Sequence, residues 1–485
     1  MELHIQKKTK IIATIGPASD NEEMVYKLYK EGMNVMRINF SHGTHEEQLQ
    51  KIKIARDFEK KYGIYIPVAI DTKGPEIRTG YMENGKVDIK TGDKIRITSE
   101  KILGTKEKFY CTYKGLYDDI KVNEIILIDD GNLELKVVEK DSKNRELVCV
   151  AQNDHYIKDQ KGMNVPLSRL TMDFISPQDE LDIKFGCEQD IDCVFASFVR
   201  RPQDVIDLKE ICKKYGKPDM PIFAKIENPE GLSNIEEIIS LADGVMVARG
   251  DLGDEIPPQD VPHVQKQICD LCRKVGKPVI VATQMLDSMC THPRPTRAEV
   301  GDVATAINES CDCVMLSGES ASGKYPVESV RMQSAIASTA EKYLHYDELA
   351  REAYETSERE NNDAIANAVA TTALLIGAKL IVNFTETGKS TNRISKARPC
   401  CPIISVTNRR KSALNSGWMW GVYSVLIKTT MPDFVEEMEV LAIKIARDLG
   451  MKVGDYIVLS GGTPTGSGKT NFMRILTVNP IEDLE

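Results

Sequence analysis

Lys225, Glu227 and Asp251 carry the residue types and spacing best suited to act together on an anionic substrate. Lys225 precedes Glu227 by two positions, and a strand repeats its facing every two residues, so both side chains can point the same way. Two carboxylates with room left for water and substrate oxygens suit Mg²⁺ better than a dedicated all-protein cage. Arg37 supplies a second fixed cation. A metal, a lysine and an arginine together cradle a phosphoryl group, whose charge spreads over three oxygens. The bland alternative, a simple Lys225–Glu227 ion pair, leaves a lysine in an interior without a task, where lysine is rarely buried.

Such a constellation needs rigid elements to hold it. Eight short apolar runs, at 11–16, 35–40, 68–72, 193–199, 222–227, 245–251, 279–284 and 314–319, each end on polar residues. Consecutive rather than alternating apolar positions predict parallel strands buried on both faces. Polar-faced segments between the runs are long enough for helices. Three of them stop alike, with cations and then Gly63, Gly216 or Gly276, followed by Pro67, Pro218 or Pro278. Helix, stop, strand, repeated around eight strands, predicts an α/β fold, a (β/α)₈ TIM barrel. In that fold the strand C-termini form the active face. The residues closing the runs are Arg37, Asn39, Ser41, Asp71, Thr72, Lys225, Glu227, Arg249, Asp251, Thr283, Ser317 and Glu319.

At 485 residues the chain exceeds one core, so about three domains are expected. The barrel is expected to occupy 1–74 and 170–345. Between them, short strands separated by Asn84-Gly85, Gly92-Asp93 and Asp130-Gly131 predict a small β-barrel domain at 75–169, inserted after the third strand and able to act as a lid. An acidic stretch at 347–360 opens a C-terminal α/β domain expected at 346–485. With 28% charged residues and no apolar run near about 20 residues, a soluble cytoplasmic protein with no membrane partner is expected. A net charge of −10 argues against a nucleic-acid partner. Twelve scattered cysteines favour reduced thiols, and the single CxxC, Cys269 and Cys272, has no second pair at zinc spacing.

Eight motifs, in order, resemble the pyruvate kinase family: 9–19 (TKIIATIGPAS), 36–43 (MRINFSHG), 71–80 (DTKGPEIRTG), 224–228 (AKIEN), 247–253 (VARGDLG), 282–286 (ATQML), 294–299 (RPTRAE) and 315–319 (MLSGE). The resemblance implies transfer of the phosphoryl group of phosphoenolpyruvate to ADP, giving pyruvate and ATP. It implies Mg²⁺ on Glu227 and Asp251, Lys225 stabilising the moving phosphoryl and then the enolate oxygen, and Arg37 on the substrate phosphate. The N–H groups of Gly250 and Asp251, with the Thr283 hydroxyl, would take the substrate carboxylate. Asn39, Phe40, Ser41, His42, Arg78 and Lys161 would contact the nucleotide. Asn39, Ser41, Asp71 and Thr72 match the family's K⁺ site, and Glu76 goes with K⁺ dependence. No histidine matches a proton donor to the enolate; Thr283 acting through water is the alternative.

Small departures from the family pattern fall at Asp254, Asp287, Ser320 and Ser322, and none removes a matched ligand. In the tail, Thr385, Thr387, Gly388, Lys389 and Ser390 follow a strand and open a helix, an arrangement that can hold a phosphorylated small-molecule effector across a homotetramer. The alternative is an ordinary strand-to-helix turn whose Thr387 and Ser390 hydroxyls cap the helix. The segment 463–470 (TPTGSGKT) mimics a P-loop, but Thr463 replaces the first glycine and a strand is expected where a helix should begin. A Schiff-base lyase with Lys225 as nucleophile is the competing enzyme class.

Overall fold

The structure, a computed structural model, describes residues 3–466 and 468–479. Eight parallel strands close into a barrel: β1 (Lys10–Thr14), β2 (Val35–Asn39), β3 (Val68–Asp71), β4 (Cys193–Ala196), β5 (Ile222–Ile226), β6 (Gly244–Ala248), β7 (Val279–Ala282) and β8 (Cys313–Leu316). Every strand residue but Asn39 is buried, which is why the runs do not alternate. The helix His45–Tyr62 starts in a capping box between Thr44 and Glu47 and ends at Gly63, whose φ of 65° only glycine adopts at no cost. Cations in the last turn, Lys60 and Lys61, complement the helix dipole.

Two apolar layers hold the barrel. One lies between strands and helices; the other fills the interior with Phe195, Phe223, Met246, Ile280 and Met315. A Cβ on Gly244 would fall 2.2 Å from the Phe223 ring, so the residue opening β6 must be glycine. Trp418, from the C-terminal region, packs edge-on against Phe223 at 5.5 Å and closes the end of the barrel opposite the strand C-termini. The open end is therefore the one carrying the polar residues.

The insertion between β3 and β4 forms a seven-stranded sheet and a two-stranded ribbon around a core that includes Ile95, Phe109, Ile126 and Leu135. A bridge between Thr79 and Cys111 joins the sheet's two edges and rolls it toward a barrel. Four of its strands, Ile77–Arg78, Lys108–Tyr110, His155–Lys158 and Gly162–Asn164, are too short to show a period and escape the sequence reading.

The C-terminal region is a five-stranded sheet of β9 (Leu380–Phe384), β10 (Ile403–Thr407), β11 (Val422–Leu426), β12 (Tyr456–Gly461) and β13 (Phe472–Thr477), ordered β11-β10-β9-β12-β13 with only the β12–β13 pair antiparallel. The acidic stretch after the barrel contains a helix, Tyr346–Glu355, anchored by buried Leu349 and Ala353. Its charges hid a two-residue apolar face. After the P-loop-like segment, whose Ser467 lies outside the described residues, the chain enters β13 rather than a helix.

Candidate active site

Parallel pairing places the rim residues. Register sets Asn39 of β2 beside Asp71 of β3, and the Lys225 and Glu227 side chains share one face at the end of β5. Arg37 Nε donates to Asp71 Oδ2 at 2.7 Å, and Lys225 Nζ donates to Asp71 Oδ1 at 3.0 Å. Lys225 Nζ also lies 3.0 Å from Glu227 Oε1. These four charged side chains are all buried. Burial would raise the Asp71 carboxyl, but Arg37 and Lys225 outweigh it and hold Asp71 below the usual range. Burial also opposes charge on Lys225, yet Asp71 and Glu227 prevail and raise its proton affinity. The cationic form of Lys225 is therefore the favoured one.

Glu227 is in a different state. Burial pushes its carboxyl up to about 8 against the opposing pull of Lys225, with nearby Asp251 adding to the rise. Oε2 accepts from the Phe198 N–H at 2.6 Å, whereas Oε1 is buried with no hydrogen bond and only the ion-pair approach of Lys225. Asp251 does not close β6, as the sequence reading has it. The strand ends at Ala248, and Asp251 sits in the first turn of a short helix, Arg249–Glu255. Among the described residues no three His, Cys, Asp or Glu gather as a metal cage.

Arg249 also leaves the rim. Its guanidinium donates to Asp302 and to the Thr283 carbonyl, each at 2.7 Å, clamping the turn after β7. Thr283 there has φ 69°, a strained value for a β-branched residue. Its hydroxyl accepts from the Gly250 N–H at 2.7 Å, so the Gly250 amide expected to meet a substrate carboxylate already faces Thr283. Glu319 turns into the backbone, accepting from Leu286 and Ser317 N–H groups, and is a strut rather than a ligand. Of the departures from the family pattern, Ser320 ties β8 to β1 by donating to the Thr14 carbonyl at 2.9 Å.

The sequence reading missed Ser197, which sits inside a run taken as apolar. Its hydroxyl lies 3.0 Å from Asp71 Oδ1, 2.6 Å from the Thr72 carbonyl and 2.8 Å from Lys225 Nζ. The next residue, Phe198, has φ 57°, which aims its N–H at Glu227. A polar residue one step past a strand end was the available signal.

Above this cluster, the barrel and the inserted sheet enclose a cleft of about 240 Å³ whose wall includes Arg78, Lys161, Asp251 and Asp254. Arg78 pairs with Glu76 at 2.8 Å, and Lys161 with Asp129 at 2.6 Å. Asn39, Phe40, Ser41 and His42 lie outside that wall, where the Asn39 side chain accepts from the Ser41 N–H at 3.0 Å. Across the cleft, Asn164 of the inserted sheet donates to Glu255 of the barrel at 2.6 Å. That contact joins lid to barrel and had no sequence signature.

The "Pyruvate kinase, barrel domain" family model matches residues 6–330, and the "Pyruvate kinase, alpha/beta domain" model matches residues 363–476. The chain belongs to the pyruvate kinase family. It is 45% identical over 472 residues to the pyruvate kinase of Staphylococcus haemolyticus, covering 97% of this chain and 80% of that protein. It is 46% identical over 474 residues to that of Lactobacillus delbrueckii subsp. bulgaricus, with the same coverage. A solved pyruvate kinase from Cryptosporidium parvum superposes with a TM-score of 0.91 at 35% identity, over 98% of this chain and 96% of that one. The reaction of the family is transfer of a phosphoryl group from phosphoenolpyruvate to ADP, giving pyruvate and ATP, and the chain is a phosphotransferase of that class. No helix among the described residues is long and apolar enough to cross a membrane.

Proposed function

We propose that the buried cluster at the barrel mouth is the phosphoryl-transfer centre of this pyruvate kinase, with Glu227 and Asp251 holding Mg²⁺. The observation that carries this reading is Glu227 Oε1, a buried carboxylate oxygen without a hydrogen bond, on a group whose ionisation burial disfavours. Such an oxygen fits a divalent cation, and Asp251 supplies a second. When bound, the metal polarises phosphoryl oxygens and neutralises developing charge. Lys225, held protonated by its two carboxylate neighbours, stabilises the moving phosphoryl and then the enolate oxygen. Arg37 binds the substrate phosphate while Asp71 fixes its orientation. Thr283 and the N–H groups of Gly250 and Asp251 take the substrate carboxylate, the Gly250 N–H exchanging Thr283 for substrate. Thr283 also relays the proton to the enolate carbon through water.

The oxygens of Asn39, Ser41, Asp71 and Thr72 form a hard donor set suited to K⁺, which adds positive charge beside the transferring group. Arg78 and Lys161 meet ADP from the lid, with Asn39 to His42 on the barrel side. In the C-terminal region, Thr385, Thr387, Lys389 and Ser390 share the wall of a small cavity with Gly462, Thr465, Gly466 and Thr470. This supports an effector site for a phosphorylated small molecule, acting across a cytoplasmic homotetramer.

With its proton affinity raised, Lys225 is a poor Schiff-base nucleophile, since nucleophilic lysines need a lowered one. The test is a coupled assay for ADP-dependent pyruvate formation, run beside borohydride trapping with a keto acid. Pyruvate production without trapped Lys225 is expected. Trapping of Lys225 would overturn the assignment.

A further inference from the structure

The inserted sheet leaves and re-enters the barrel at two crossings, and the barrel ties both. At the first, the Lys73 and Gly74 N–H groups donate to Asp179 Oδ1 at 3.1 and 3.2 Å. At the second, the Arg200 guanidinium donates to the Leu170 and Met172 carbonyls at 3.3 and 2.8 Å. Beyond these hinges the body of the sheet reaches the barrel through Asn164, whose Nδ2 donates to Glu255 Oε1 at 2.6 Å. Burial pushes the Glu255 carboxyl up to about 7, against the Asn164 bond and with Asp254 and Asp251 adding to the rise. A carboxyl oxygen accepts from an amide in either protonation state, so the contact does not depend on that ionisation.

Each partner belongs to an element that carries site residues. Glu255 ends the short helix Arg249–Glu255 and follows Asp251 by four residues, so the two carboxyls share one helix face, about 6 Å apart along its axis. Both line the cleft. Asn164 ends the strand Gly162–Asn164, whose Met163 is buried in the core of the insertion, so its own side chain points the other way. That strand lies between Ile77–Arg78 and Ile125–Ile128 in the sheet. Lys161 directly precedes it, and Arg78 pairs with its Gly162. One hydrogen bond thus joins the helix bearing Gly250 and Asp251 to the strands bearing Arg78 and Lys161.

We propose that Asn164 and Glu255 are positioning residues for phosphoryl transfer, coupling nucleotide binding on the inserted sheet to substrate binding on the short helix. The inference rests on the proposed function, which puts phosphoenolpyruvate on Gly250 and Asp251 and ADP on Arg78 and Lys161. Substrate that takes the Gly250 N–H from Thr283 acts on the first turn of a helix of seven residues, and Glu255 at its other end passes the change to Asn164. With the bond made, the sheet is held with Arg78 and Lys161 on the cleft wall. With it broken, the sheet swings on its two crossings and the fraction of molecules competent to bind ADP falls. The bond also works against like charges: Asp130 of the insertion and Asp254 of the helix line the same cleft, where burial and Asp130 together push the Asp254 carboxyl up to about 6.

The experiment measures ADP binding to the full-length protein by calorimetry, with Mg²⁺ and K⁺ present, with and without phosphoglycolate, which carries a phosphate and a carboxylate but no enol phosphate to transfer. Wild type should bind ADP at least about fivefold more tightly when phosphoglycolate is present. Asn164→Ala and Glu255→Ala should each bring that ratio toward one, and the double variant should lose no more than either alone. Glu255→Gln, which keeps an acceptor, should keep the ratio. Asn164→Asp should lower it, and Asn164→Asp with Glu255→Gln, which exchanges donor and acceptor at constant volume, should restore it. A merely structural role would lower stability without moving the ratio or giving that rescue. A wild-type ratio of one, a ratio unchanged by either alanine, additive losses in the double variant, or no rescue by the exchange would overturn the coupling. Wild type that forms no pyruvate in the coupled assay would instead overturn the placement of substrate on which the coupling rests.

Discussion

The barrel mouth and the loop opening the helix Lys389–Lys396 are both proposed to hold anions, yet they are built in opposite ways. At the barrel mouth Arg37, Asp71, Lys225 and Glu227 are buried and fixed by one another, so the charges of Arg37, Asp71 and Lys225 act in a low dielectric with no reorganisation. In the C-terminal loop Lys389 is exposed, the Ser390 hydroxyl is spent on Asn383 at 2.9 Å, and the Gly388 N–H is spent on Thr385 at 3.0 Å. The first geometry suits a charge that exists only in a transition state. The second suits a ligand that must come and go, with a loop that rearranges to meet it.

That contrast predicts the largest effect at Lys225. Lys225→Ala should lower kcat by at least about 10³-fold, because the charge it supplies is needed most in the transition state. The circular dichroism spectrum and Mg²⁺ binding should be retained. Turnover within tenfold of wild type would show that the buried cluster is structural only. Ser197→Ala sharpens the same point by loosening Asp71 and Lys225 together. Losing a buried hydrogen-bond partner costs about 1–3 kcal/mol, so kcat should fall roughly tenfold or more with a smaller change in KM. An unchanged kcat would mean that Ser197 does not position Lys225.

An intermediate effect belongs to the hinge. Glu76, paired with Arg78 beside the lid cleft, is expected to go with K⁺ dependence. Replacing K⁺ by tetramethylammonium should cost at least about tenfold in rate, ~1.4 kcal/mol of transition-state stabilisation. Glu76→Lys should restore much of it by supplying a fixed charge. Equal wild-type activity in Na⁺, K⁺ and tetramethylammonium would remove the monovalent-cation site from the reading.

The same contrast explains what the sequence made legible. Asp71 closes its strand, Glu227 follows one, Lys225 is one residue and Arg37 two residues short of a strand end, and strands of a closed barrel show as apolar runs, so the place of these residues near the barrel mouth was legible. Asp251 falls on the right loop but on a different element, because a helix of seven residues leaves little periodic signal. Ser197 and the Asn164–Glu255 contact depend on where separate segments meet, which no local pattern encodes. In the C-terminal region the strands were visible, whereas the state of the loop hydroxyls depends on side-chain partners such as Asn383.

The smallest effect should come from that loop. Its cavity, shared with Gly462 and Thr470 and holding about 20 Å³, has room for little more than a water, so an effector must open the two facing segments and break the Ser390–Asn383 bond. Binding therefore costs part of what it gains, and the net coupling to the barrel mouth should lie at the low end of allosteric values, about 1 kcal/mol or roughly fivefold. Regulation requires the effector to favour one of two global states, so the shift should appear in the apparent KM for phosphoenolpyruvate with kcat little changed. Titration of fructose 1,6-bisphosphate, AMP and ribose 5-phosphate against wild type should identify one that lowers KM. The double variant Lys389→Ala, Ser390→Ala should lose that response while keeping its basal activity. If none of the three shifts the wild-type curve, or the double variant responds as wild type does, the loop is a strand-to-helix turn whose hydroxyls serve the fold alone.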